Sequence, residues 1–168
     1  MYQESLCTED WKRKTIEQYS DMVYRLAFSM MKSKYDADDI HQEVFVQYIT
    51  KHPVFDSEEH KKAWFLRVTI NLCKNWWKSA WHRKVVGILE KKEAIESDNA
   101  ICKWEEQYPV IQQVKQLPQK YRIVIHLFYY EEMSIEKIAE ILKEKPSTVR
   151  TQLTRARQKL KAELTSDK

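Results

Sequence analysis

Between Lys61 and Lys84 the chain runs for 24 residues without an Asp or Glu, yet holds seven cations (Lys61, Lys62, Arg67, Lys74, Lys78, Arg83, Lys84) and five large aromatics (Trp64, Phe65, Trp76, Trp77, Trp81). Cations hold phosphates and flat rings accept unstacked bases at about 1–3 kcal/mol each, so the mixture suits single-stranded nucleic acid. The competing reading is an amphipathic helix with a core of aromatics and a coat of solvated lysines. Trp64 and Phe65 share a face with Val68 and Leu72 and are expected inside. Trp77 and Trp81 are expected to be partly exposed or to staple Trp11 or the following segment.

A second constellation lies near the C-terminus. Ser134–Leu142 places Ile135, Ile138, Ala139 and Leu142 on one helical face, and Pro146 then opens a further helix to Leu164. In that helix Val149, Leu153, Ala156 and Leu160 form an inward seam, while Arg150, Thr151, Thr154, Arg155, Arg157 and Gln158 face away. This is the layout of a helix-turn-helix whose second helix enters the major groove. Arg bonds guanine bidentately, and Thr and Gln bond base edges or phosphates. Ser147, Arg150, Thr151 and Arg155 are therefore expected at bases, and Arg157, Lys159 and Lys161 at phosphates. A charged surface on an ordinary helical hairpin gives the same periodicity.

The acids Asp36, Asp38, Asp39 and Glu43 with His41 invite a metal-site reading. Adjacent and alternate helical positions point in different directions, and no HExxH or second His–carboxylate cluster accompanies them, so no metal is expected.

These residues need helices to hold them. Gly87 is the only glycine, which disfavours β-turns and phosphate-cradling loops, and an all-α fold is expected. Apolar spacing predicts helices over Thr15–Lys32, Asp36–Thr50 and about Glu58–Ala80, the last capped by Ser57, then Tyr108–Gln116 and Pro118–Tyr130. Ile40, Val44, Phe45, Tyr48 and Ile49 are the expected buried face of the second. Two small helical domains, 10–84 and 108–165, are expected on either side of a flexible linker, 85–107, that carries Glu90, Glu93, Glu96, Asp98, Glu105 and Glu106. The net charge of +4 says little about partners, and Cys7, Cys73 and Cys102 fit neither a disulfide framework nor a zinc spacing. The cysteines and the want of a signal peptide or long apolar run point to the cytoplasm.

Leu117–Leu142 followed by Ser147–Leu160 closely resembles region 4 of bacterial sigma factors, the extracytoplasmic-function group above all. The opening Leu117-Pro118, the helix ending Ile138-Ala139-Glu140-Ile141-Leu142 and the Thr148–Leu160 helix occur in the family's order. The resemblance implies binding to the −35 promoter element by Arg150, Thr151 and Arg155, with Ser147, Thr148, Thr154 and Arg157 completing the surface. Lys143 stands where the family usually has glycine. Lys145 stands at a usual Ser/Thr cap, whose loss costs roughly 0.5–2 kcal/mol.

Asp36–Tyr48 resembles the family's region 2.2, which docks on the clamp coiled coil of RNA polymerase's largest subunit. The implied contacts are Asp39, Ile40, Gln42, Glu43, Val46 and Gln47. Lys61–Lys78 resembles regions 2.3 and 2.4, which melt the −10 element and hold a flipped base. This implies −10 contacts at Lys61, Lys62, Arg67, Asn71, Lys74, Asn75, Trp76 and Lys78. Amides such as Asn71 can read the Watson–Crick edge of an extruded base.

Energetics set the partner. Opening each base-pair step costs about 1.4 kcal/mol, while one or two stacked bases return about 1–3 kcal/mol apiece. Durable melting therefore needs a larger machine, and the resemblance supplies RNA polymerase core. The 23 residues of the linker reach at most about 75–80 Å, enough to join sites a turn or two apart on duplex DNA. The expected protein is a sigma factor of extracytoplasmic-function type without catalysis, cofactor or small-molecule substrate. Its expected partners are core polymerase, promoter DNA and an anti-sigma factor, often membrane-anchored in the family. The rivals are a stand-alone helix-turn-helix regulator, which should bind operator DNA unaided as a dimer, and a nucleic-acid enzyme, which should need Asp38 and Glu43.

Overall fold

In the computed structural model every described element is helical, as a chain with so little glycine requires. The structure describes residues 2–31, 33–86 and 111–166, with side chains described over 9–31, 33–80 and 113–166. Beyond Val86 the expected linker, and the expected helix start at Tyr108, lie outside the described residues. So do the side chains of Trp81, Arg83 and Lys84. The chain divides into two compact units, Met1–Trp77 and Lys78–Lys168. No described helix is long and apolar enough to cross a membrane.

The first unit is built on α1 (Tyr2–Met30), α2 (Lys34–Lys51) and α3 (Glu58–Val86) as far as Trp77. α1 starts well before the expected Thr15, because the preceding residues lack Gly and Pro and are rich in Glu, Gln, Lys and Arg. Such residues sustain a helix without an apolar stripe. α2 stops at His52, which turns left-handed (φ 45°) before Pro53. Ser57 caps α3 as expected, its Oγ accepting the His60 N–H at 3.1 Å, and Glu58 and Glu59 meet the positive helix end.

Phe65 is fully buried at the centre of this unit. Its ring lies 4.8 Å from Tyr19, 5.6 Å from Phe45, 5.3 Å from Tyr48 and 5.1 Å from Trp64, centroid to centroid. One ring thereby joins all three helices. Trp64 is half-buried and meets Tyr48 and Phe55 edge-on. The half-buried Trp77 donates its indole N–H to the Met30 carbonyl at 3.3 Å, tying α3 to the end of α1.

The second unit adds α4 (Ile111–Gln116), α5 (Gln119–Ile125), α6 (Ile135–Leu142) and α7 (Pro146–Ser166). α5 does not run on to Tyr130 as a regular helix. It widens into a π-helical turn over His126–Tyr130, closed by the Glu131 N–H on the His126 carbonyl at 3.2 Å. Ser134 caps α6 by accepting the Lys137 N–H at 3.2 Å. Ile138, Ala139, Val149, Leu153 and Ala156 are buried, so the centre of the expected seam between α6 and α7 is present with Ala139 in it, while Ile135, Leu142 and Leu160 are half-buried.

Candidate nucleic-acid interface

α3 carries its cations and amides away from Phe65. At about 100° per residue, Arg67, Asn71, Lys74, Asn75 and Lys78 recur along one face of the helix. Asn71, Asn75 and Lys78 are exposed, whereas Arg67 and Lys74 are half-buried, Arg67 with its Nε buried. Primary amides with a donor and an acceptor edge stand between cations of the kind that can hold phosphate. Such a stripe can bind a strand whose bases are turned out.

Three of the expected −10 contacts lie off that face. Lys61 is buried: its ammonium sits 5.2 Å from the Trp11 ring centroid, 5.8 Å from that of Tyr19 and 3.7 Å from the Glu58 carboxylate. These partners occupy the charge within the fold, and the expected DNA contact at Lys61 is corrected accordingly. Lys62 is half-buried and lies about half a turn around α3 from Asn71. Trp76 is turned about 140° from Asn71 and meets Trp77 edge-on at 5.7 Å, so it flanks the buried side instead of adjoining the amides.

α2 presents Asp39, Gln42, Glu43 and Val46 to solvent, with Gln47 half-buried. Ile40 does not join them. It is 5% exposed and packs inward with Val44, so its assignment to an outward contact is corrected. Ile49 departs in the opposite sense: expected inside, it is 43% exposed. With Tyr35, also exposed, it extends the outward row to Tyr35, Asp39, Gln42, Val46 and Ile49, alternating four and three residues apart. That spacing fits another helix laid alongside. The row was legible in the spacing, but Ile49 fits the inward pattern equally well.

His41, the imidazole among the α2 acids, is engaged inward. Its Nε2 is 2.9 Å from Ser20 Oγ, and its ring meets Tyr24 and Phe45 edge-on. Burial holds its pKa below the ordinary histidine value, against the upward pull of Asp38, the Ser20 bond and Asp21. Among the described residues no grouping of three His, Cys, Asp or Glu side chains can hold a metal ion.

On α7, Ser147, Thr148, Arg150, Thr151, Thr154, Arg155 and Arg157 are all exposed. They do not share one face. Ser147, Thr151, Thr154, Arg155 and Gln158 lie opposite the seam, Thr148 on one flank, and Arg150 and Arg157 on the other. Thr151 and Thr154 donate their hydroxyls to the Ser147 and Arg150 carbonyls, both at 3.0 Å. Their oxygens remain acceptors, suited to the amino groups of adenine or cytosine. Arg150 lies 3.6 Å from Glu136 on α6. Arg157 donates its Nε–H to Tyr129 Oη at 2.7 Å.

Comparison with known proteins finds matches to both halves of the chain. The Sigma-70 region 2 family model matches residues 15–83, and the Sigma-70, region 4 model matches residues 109–160. The chain is 27% identical over 161 residues to the ECF RNA polymerase sigma factor SigW of Bacillus subtilis (strain 168), covering 89% of this chain and 86% of that protein. It is 28% identical over 161 residues to the RNA polymerase sigma factor SigV of the same organism, covering 90% of each. Its fold is similar to that of the sigma factor RpoE from Bartonella quintana, solved in complex with the anti-sigma factor NepR, with a TM-score of 0.70 at 20% identity over 95% of this chain and 99% of that one. The chain therefore belongs to the Sigma-70 family, in its extracytoplasmic-function group, and carries both region 2 and region 4.

Proposed function

We propose that this chain binds core RNA polymerase and directs promoter-specific initiation, without catalysis of its own. The outward row of α2, centred on Gln42 and Val46, docks on the polymerase. The Arg67, Asn71, Lys74, Asn75 and Lys78 face of α3 takes the non-template strand of the −10 element as it opens. α7 docks on the −35 duplex, with Ser147, Thr151, Thr154 and Arg155 toward the groove and Arg150 and Arg157 at its edge. An anti-sigma factor is the proposed regulator, and the cytoplasm the proposed compartment.

The observation that carries the reading is the segregation along α3. Phe65 is buried, while Asn71 and Asn75 stand exposed between cations on an acid-free segment. A stand-alone regulator would leave this face and the α2 row without a role.

Run-off transcription with purified bacterial core polymerase on genomic fragments tests the proposal. Discrete transcripts that depend on the added chain are expected. Failure to join core polymerase, or joining without directing initiation, would refute it.

A further inference from the structure

The π-helical turn His126–Tyr130 positions an unusual pair. Its Phe128 and Tyr129 rings meet edge-on at 5.0 Å, and the Arg157 guanidinium carbon lies 5.3 Å from the first centroid and 5.6 Å from the second. Tyr129 Oη accepts the Arg157 Nε–H at 2.7 Å, yet Tyr129 is 53% exposed. A tyrosine so open to water contributes little to the core. It does fix the side chain it touches.

The consequence lies in what remains of Arg157. A free arginine loses considerable rotamer freedom when it binds, and its planar fork rewards pre-organisation. With Nε spent on Tyr129 and one face against the rings, the terminal nitrogens keep their remaining donors on the outer edge. Two donors in a fixed plane match two phosphate oxygens. The turn itself is anchored by His126, which is buried and stacked on Tyr130 at 5.1 Å. π-turns recur where a helix must re-aim side chains at a functional site.

We propose that Tyr129 is a positioning residue that holds the Arg157 guanidinium for a backbone phosphate of the upstream promoter duplex. The inference rests on the promoter-binding reading above.

The test uses holoenzyme assembled from the full chain and core polymerase. The probe is a promoter duplex that the wild-type holoenzyme selects from genomic fragments, and binding is measured across a salt series. Arg157→Ala should reduce the slope of log affinity against log salt by about 0.9, the share of one phosphate. Tyr129→Phe keeps the ring and should weaken binding about fivefold at every salt concentration without changing the slope. In the Arg157→Ala background Tyr129→Phe should add nothing. An equal loss in both backgrounds, or no loss in either, overturns the positioning role. Urea denaturation of Tyr129→Phe should match wild type, and a lower midpoint accounting for the binding loss would reduce the contact to a structural tie. If wild-type holoenzyme selects no promoter, both the function and this inference fail before any variant is made.

Discussion

Arg150 on α7 and Glu136 on α6 form an ion pair at 3.6 Å, with both side chains largely exposed. An exposed pair of this kind is worth about 0–1 kcal/mol, little enough for DNA to displace. On the promoter-binding reading, Glu136 competes with DNA phosphate for Arg150. Glu136→Gln should leave stability within about 0.5 kcal/mol. It should tighten holoenzyme binding to duplexes of any sequence by about threefold, leaving the ratio between cognate and scrambled −35 elements unchanged. Arg150→Ala should lower transcription from the cognate promoter and relax preference within the −35 element. Competition binding with cognate and scrambled duplexes distinguishes the two. An equal loss across all sequences in Arg150→Ala would mean that the residue contacts phosphate alone.

Asn71 is exposed on α3 between Arg67 and Lys74, so its truncation should leave the fold intact. Asn71→Ala should impair strand opening while sparing −35 binding, because an alanine cannot pair with the edge of an extruded base. Permanganate reactivity of thymines in the −10 region should fall in open-complex assays, at unchanged affinity for a −35 duplex. Wild-type reactivity in the variant would contradict the base-reading role.

Much of this arrangement could be read from residue spacing, for identifiable reasons. Ser57 and Ser134 each precede an apolar-periodic run and each accepts an N–H three residues on. The Val149, Leu153 and Ala156 seam is buried as its period requires. Where the reading failed, the cause was a partner distant in sequence. Lys61 looks like a surface cation until Trp11, on another helix, is placed over it. Ile40 is buried as its spacing predicts, which rules out the outward contact that the resemblance implied, whereas Ile49 suits the same apolar face and only the packing of α2 leaves it exposed. The π-turn leaves no local signature: His126–Tyr130 continues the apolar character of the α-helix before it.

His41 makes the first unit sensitive to acid. Its folded-state pKa lies below the ordinary value of 6.5, chiefly through burial, so the folded chain takes up its proton less readily than the unfolded chain. The stability this residue contributes is complete above about pH 6.5 and is lost as pH falls through the folded-state value. The urea midpoint of the wild type should therefore drop more steeply between about pH 7 and 5 than that of His41→Gln, which cannot titrate there. Parallel pH profiles for the two proteins would show that Asp38, Asp21 and Ser20 cancel the burial cost in full.

Lys143 offers a stabilising change in the helix-turn-helix itself. Its backbone is left-handed, at φ 54° and ψ 44°, where the Lys143 and Glu144 N–H groups close α6 on the Glu140 and Ala139 carbonyls at 3.3 and 2.9 Å. A residue with a Cβ pays about 1–2 kcal/mol to hold that conformation, and glycine does not. Glycine also gains freedom in the unfolded chain, which returns part of the benefit. Lys143→Gly should thus raise stability by about 0.5–1 kcal/mol, seen as a higher urea midpoint with an unchanged slope. Because Lys143 is exposed and lies before α7, the variant should keep its −35 preference. A lower midpoint would show that the lysine side chain stabilises the turn by more than its backbone strain costs.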